Sequence, residues 1–236
     1  MRKLSLFLMG LIASAGYSVA QDDCMYFFPN KEGAELVNKT YDANNNLVNT
    51  MIYRIENVMD YPTETDMEIR FFMTDKNGAA IDQGTLSARC DGESFYLNMV
   101  NRGLTSDIMN ALGEDTELTG DFLDYPNAFN MDYPFDGNFK MDAGEFTIKS
   151  KNNKNDDIRV REFNRQYVGD EKVSTPAREF NHASKVTFDF EVTKGKQTTR
   201  YKGVEWYATN SGIVRSEVYD SNNNLLSYTQ LTTIKD

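Results

Sequence analysis

From Tyr201 to Ile234 the chain reads YKGVEWYATNSGIVRSEVYDSNNNLLSYTQLTTI, a pattern that only consecutive antiparallel strands accommodate. Val204, Trp206 and Ala208 alternate with Glu205, Tyr207 and Thr209, the period of two of a strand with one buried face. Asn210-Ser211-Gly212 then turns the chain into Ile213–Tyr219, rich in β-branched and aromatic residues. Asn222-Asn223-Asn224 makes a second turn, because Asn tolerates the positive φ that tight hairpins demand, and Leu225–Ile234 runs back.

This closing unit has an echo near the other end. Tyr41-Asp42-Ala43-Asn44-Asn45-Asn46-Leu47 returns 178 positions later as Tyr219-Asp220-Ser221-Asn222-Asn223-Asn224-Leu225, six identities in seven. Strand-like residues flank the first copy, Glu35–Tyr41 before it and Val48–Ile55 after it. Either one good turn solution is used twice, or one sheet brings its first and last strands together. No period of 20–50 residues recurs, which excludes a solenoid.

Met1–Ala20 reads as a signal peptide. Arg2 and Lys3 supply the positive start, Leu4–Ala15 the apolar run, and Ser18-Val19-Ala20 the small-residue cleavage site ahead of Gln21. The apolar run is too short for a membrane span, and no later segment is apolar enough for one. Gln21-Asp22-Asp23 stand before Cys24 where a lipobox has small and apolar residues, which argues against acylation. Without residues 1–20 the chain has 216 residues, with 23 basic against 36 acidic side chains, a net charge of −13. Such acidity argues against nucleic acid and anionic lipid surfaces as partners, since both require a Lys/Arg face. The expected address is exported: periplasmic, outer-membrane-associated or secreted. The two cysteines, Cys24 and Cys90, form an even pair, which an oxidising compartment favours joining as a disulfide.

Further strand-like segments follow the first hairpin: Met67–Met73, Gly84–Cys90, Ser94–Val100, Phe139–Met141, Glu145–Lys149, Ile158–Val168 and Lys185–Lys194. Turn signals separate several of them, at Asp60-Tyr61-Pro62, Asp75-Lys76-Asn77-Gly78 and Asp91-Gly92. One short helix is predicted after Thr105 or Ser106, with Leu104, Ile108, Ala111 and Leu112 at helical spacing before Gly113. Gly113–Asn138 carries seven acids, no base and the aromatics Phe122, Tyr125, Phe129, Tyr133 and Phe135; it reads as a long ordered loop outside the sheet. No shift of composition divides residues 21–236, so one β domain is expected after the leader. The fold class is all-β, mainly antiparallel: a single strongly curved sheet or incomplete barrel with one short helix.

Candidate chemistry is sparse. Asp42-x-Asn44-x-Asn46 and Asp220-x-Asn222-x-Asn224 carry calcium-loop residue types, but Leu47 and Leu225 stand where Gly is required. Tyr53 and Leu231 occupy the place of the bidentate Glu, so turns without metal are expected. Glu205 and Glu217, on neighbouring strands, are the acid pair that a glycoside-cleaving mechanism would use, or else sheet-face residues paired with Arg215 or Lys202. His182, the one histidine, lies near Ser184 and Asp189 in a polar stretch and is read as a loop residue. Trp206 is either core or ligand-lining. No catalytic set and no cofactor site emerges.

A resemblance completes the picture. Val173-Ser174-Thr175-Pro176-Ala177, then Tyr201-Lys202-Gly203-Val204-Glu205-Trp206-Tyr207, Gly212-Ile213-Val214-Arg215-Ser216-Glu217 and Tyr219-Asp220, resembles the TapB-like family. Its members are exported bacterial β proteins related to a domain of unknown function. Ala177-Arg178-Glu179-Phe180 departs from the family's Ala-Gly-x-Phe. The resemblance implies an exported antiparallel β fold and carries no catalytic residues. The expected function is therefore binding: a small apolar or glycan ligand on a concave sheet face, lined by Trp206, Tyr207, Tyr125 and Tyr133. The rivals are a hydrolase using paired carboxylates and a module that binds an envelope protein through the loop 113–138.

Overall fold

Both Asn-rich stretches are hairpin turns of one geometry. Asp42 accepts the backbone N–H groups of Asn44 and Asn46 and the Asn46 side-chain amide, at 2.8–2.9 Å. Asp220 does the same for Asn222 and Asn224, at 2.8 Å. Asn45 and Asn223 hold the left-handed position at φ 65° and 64°. A third copy stands at Asp75, which accepts from Asn77 and Ala79, with Gly78 at φ 86° in the left-handed place. Each aspartate is spent on its own turn, and no metal-ligand cluster occurs among the described residues.

The computed structural model describes residues 28–91, 94–98, 116–126, 139–150 and 157–235. They contain fourteen strands and no helix: β1 Glu35–Asp42, β2 Leu47–Asp60, β3 Thr65–Asp75, β4 Ala80–Cys90, β5 Ser94–Asn98, β6 Thr116–Gly120 and β7 Phe122–Pro126 come first. Then follow β8 Phe139–Lys140, β9 Gly144–Ser150, β10 Ile158–Ser174, β11 Glu179–Lys194, β12 Gln197–Ala208, β13 Gly212–Tyr219 and β14 Leu225–Lys235. The leader, Cys24, the predicted helix and Tyr133 lie outside the described residues.

All strands belong to one antiparallel sheet in the order β6-β9-β10-β11-β12-β13-β14-β1-β2-β3-β4-β5-β7, with β8 also paired to β10. The first and last strands do meet: β1 and β14 pair from Glu35↔Lys235 to Asp42↔Ser227. The two ends of the order, β6 and β7, are consecutive in the chain with Asp121 alone between them. This one stretch pairs with β9 along its first half and with β5 along its second, which brings the two ends of the order together and curls the sheet into a nearly closed barrel. The acidic stretch therefore contributes two edge strands, a correction to its reading as loop. Its Pro126 sits at the last position of an edge strand, where a missing N–H costs least.

The inner face is built by alternation. Met67, Ile69, Phe71 and Met73 of β3 and Val186, Phe188 and Phe190 of β11 are all at most 4% exposed. Such burial contributes about 1.5–3 kcal/mol per large apolar side chain. Phe188 lies flat over Gly203 of β12, where an added Cβ would stand 2.1 Å from the ring. Gly203→Ala would thus force the ring aside.

Candidate functional site

A run of polar side chains crosses this apolar interior. On β10, Asn164 takes a left-handed φ of 54° and the pairing with β11 slips between Phe163 and Gln166. The bulge lets Glu162 and Arg165, three residues apart, point to the same side, where both are at most 1% exposed. Arg165 Nε stands 3.6 Å from Glu162, its Nη1 donates to the Asp142 carbonyl at 2.8 Å, and its guanidinium lies 4.8 Å from the Tyr125 ring centre.

Tyr125 continues the run. Its hydroxyl lies 2.9 Å from that of Tyr207, with ring centres 4.7 Å apart. Tyr207 donates to the Glu205 carboxylate, so Tyr125 is the donor within the pair. Glu162, Arg165, Tyr125, Tyr207 and Glu205 thus form one buried chain from β10 through the edge strand β7 to β12. Neither carboxylate stands alone: one faces a guanidinium, the other a phenol.

The same face carries a second polar feature. Directly opposed residues of an antiparallel ladder share a face, and Glu205, Ser216, Thr229, Thr40 and Asn49 oppose one another in turn across β12, β13, β14, β1 and β2. Thr40 and Thr229 are joined at 2.8 Å. Asn38, two residues before Thr40, is 7% exposed and Asn49 2%. Asn38 Oδ1 and Asn49 Nδ2 are buried with no hydrogen-bond partner.

The sequence candidates separate. Tyr125 and Tyr207 come together on the inner face; Tyr133 is outside the described residues. Trp206 is 6% exposed but belongs to the opposite, outer face, between the cations of Lys185 at 5.0 Å and Arg215 at 5.8 Å, its indole N–H donating to Glu171. Glu205 and Glu217 do not face each other. Glu205 opposes Ser216 while Glu217 opposes Val204, and that one-residue offset puts them on opposite faces. Glu217 instead pairs with Arg215 at 2.6 Å and accepts the Tyr219 hydroxyl, which burial first and this carboxylate second push up to about 12. His182 is exposed on β11, a strand and not a loop; Ser184 donates to Asp170 and Asp189 accepts from Asn164, so no triad forms. Cys90 is 1% exposed at the end of β4 and is not a free thiol. Sequence reading misses Glu162, Arg165, Asn38 and Asn49. Only Asn164, a left-handed-tolerant residue between two charges, hints at the bulge.

Fold and interior together define a class: an antiparallel, nearly closed β sheet with polar groups sealed inside. A family model described as DUF3108-like matches residues 31–231, and the chain belongs to that family. The match shows this broader family and not the TapB-like name. Two solved structures are similar to it, each over 90% of this chain and all of its own. A candidate exported protein of Bacteroides fragilis with a YmcC-like fold is 34% identical with a TM-score of 0.84. A candidate lipoprotein of Parabacteroides distasonis is 31% identical with a TM-score of 0.83. None of the curated proteins matches.

Proposed function

We propose that this is an exported protein that binds rather than catalyses, taking a hydroxyl-bearing amphiphile against the inner face of its sheet. The observation that carries this reading is the unpaired acceptor of Asn38 and the unpaired donor of Asn49. Each unmade bond on a buried amide costs about 1–3 kcal/mol. One hydroxyl that donates to Asn38 and accepts from Asn49 removes both costs. Met51, Met67 and Met73, unbranched and adaptable, supply walls that can repack around an apolar tail.

Octyl glucoside below its micelle concentration joins an apolar tail to a hydroxylated head and serves as the probe. It should raise the melting temperature of the wild type and not that of Asn38→Leu/Asn49→Leu, which should itself be at least as stable as the wild type. An equal response in both proteins, or none in either, would sink the reading. Turnover on a glycan or ester panel that disappears in Glu162→Gln or Glu205→Gln, with the fold intact, would favour the hydrolase instead.

Export rests on the leader, with cleavage after Ala20, and the candidate exported protein and candidate lipoprotein among its relatives support it. Cys24 is the one other cysteine available to Cys90, and their bond would close a loop of about 65 residues, contributing up to about 4 kcal/mol on the chain-entropy model. Intact-mass measurement should give a chain beginning at Gln21 with no thiol reactive after unfolding. A lipid on Cys24 or two free thiols would overturn these assignments. The TapB-like affiliation and a single domain over residues 21–236 belong to the same proposal.

A further inference from the structure

A groove of about 730 Å³ lies on the outer face, away from the polar interior. Its floor is a row that crosses four strands by direct opposition: Met59 of β2, Asp66 of β3, Arg89 of β4 and Tyr96 of β5. Glu68 and Ser87 oppose each other in the row beside it, and Glu64 and Asp91 also line the groove. Phe122 of the edge strand β7 closes one side and is 48% exposed.

The charges lining the groove sum to a negative balance. Arg89 is its only cation among the lining residues, and it is held by Asp66 at 2.8 Å and by Glu64 at 3.5 Å. Four carboxylates against one guanidinium leave a net negative field, which concentrates cations and excludes anionic ligands. Two aromatic side chains, Tyr96 and Phe122, stand in that field, and an aromatic face attracts an ammonium or guanidinium laid over it. Met59 offers an apolar surface for the methylene stems of Lys or Arg. A row extending over four strands gives room for several such side chains in line.

We infer that this groove is a docking site for a short Lys/Arg-bearing segment of a partner protein. The carboxylates take the cationic heads, while Tyr96, Phe122 and Met59 cover the stems. The assignment is independent of any ligand inside the sheet, because the groove and the inner face lie on opposite sides of β3 and β4.

Fluorescence anisotropy with fluorescein-labelled hexalysine at low ionic strength tests it. Glu68→Gln/Phe122→Ala should weaken binding by about tenfold, the loss typical of interface anchors, with an unchanged melting temperature. Glu179→Gln, which removes one acidic charge elsewhere on the surface, should leave binding within about twofold of the wild type. Glu68→Gln alone should give a smaller loss in the same direction. Absence of binding, or equal weakening by Glu68→Gln and Glu179→Gln, would overturn the site and leave only general attraction to an acidic protein. Spermidine that binds as tightly as hexalysine would overturn the peptide assignment, and spermidine that fails to compete would support it.

Discussion

The hydroxyls of Tyr125 and Tyr207 touch at 2.9 Å although 82 residues separate them in the chain. The contact ties the edge strand β7 to the far wall of the interior. Tyr207→Phe removes the group that both Tyr125 and Glu205 use, and should cost about 2–3 kcal/mol in urea unfolding. Tyr125→Phe, which keeps its ring under Arg165, should cost about 1 kcal/mol. Equal costs, or none for either, would show that the phenol–carboxylate link contributes nothing.

Arg165 lies beside the fully buried Glu162. Arg165→Met strands a carboxylate in an apolar interior and should cost about 3–5 kcal/mol. Adding Glu162→Leu should restore most of that loss, since a well-packed apolar pair is often as stable as a buried ion pair. A double variant no more stable than Arg165→Met alone would mean that the bulge depends on the charges themselves.

The three Asp-anchored turns set an acid limit. The Asn46 side-chain amide holds Asp42 below the ordinary carboxylate range, the Ala79 N–H does so for Asp75, and the Asn224 side-chain amide for Asp220. Because the folded values are depressed, this stability is present above the unfolded value near 4, roughly, and is lost as pH falls through the folded values. Asp42→Ala/Asp75→Ala/Asp220→Ala should lower the melting temperature at neutral pH, and the gap from the wild type should shrink in acid. A gap that is constant or widens on acidification would contradict the assignment.

Trp206 stands outside the interior, under Lys185, Arg215 and Glu171. Trp206→Ala should cost about 3 kcal/mol, the low end of the range for large aromatics, because mobile charged side chains can settle over the gap. The octyl glucoside response should survive the substitution. Its loss in a folded Trp206→Ala protein would move the ligand to the outer face.

Local chemistry made the frame legible. Turn residues with a mechanism, such as Asp42, Asn45, Asp220 and Asn223, marked the hairpins, and the alternation of Val186, Phe188 and Phe190 marked an inner face. The site was harder to read for two physical reasons. On β12 both faces look apolar, Val204-Trp206-Ala208 against Gly203-Glu205-Tyr207, and a glutamate concealed the inner one. On β10 the bulge at Asn164 breaks the period of two, so counting by alternation sends Glu162 and Arg165 to opposite sides. The meeting of Tyr125 with Tyr207 depends on how the sheet curls, which no local pattern encodes.

The pairing of β1 with β14 also governs when the fold can be completed. Glu35 and Lys235 form its outermost rung, 200 residues apart and bridged at 2.7 Å. Every other ladder neighbour of β1 lies within a short hairpin, whereas this one requires most of the chain to be present. Contacts of such sequence separation slow folding, because loop closure precedes any reward from the ladder. During synthesis β1 must wait, half-paired, until β14 has been made. Until it arrives, the open side of β1 presents unpaired N–H and C=O groups to any other strand that reaches it.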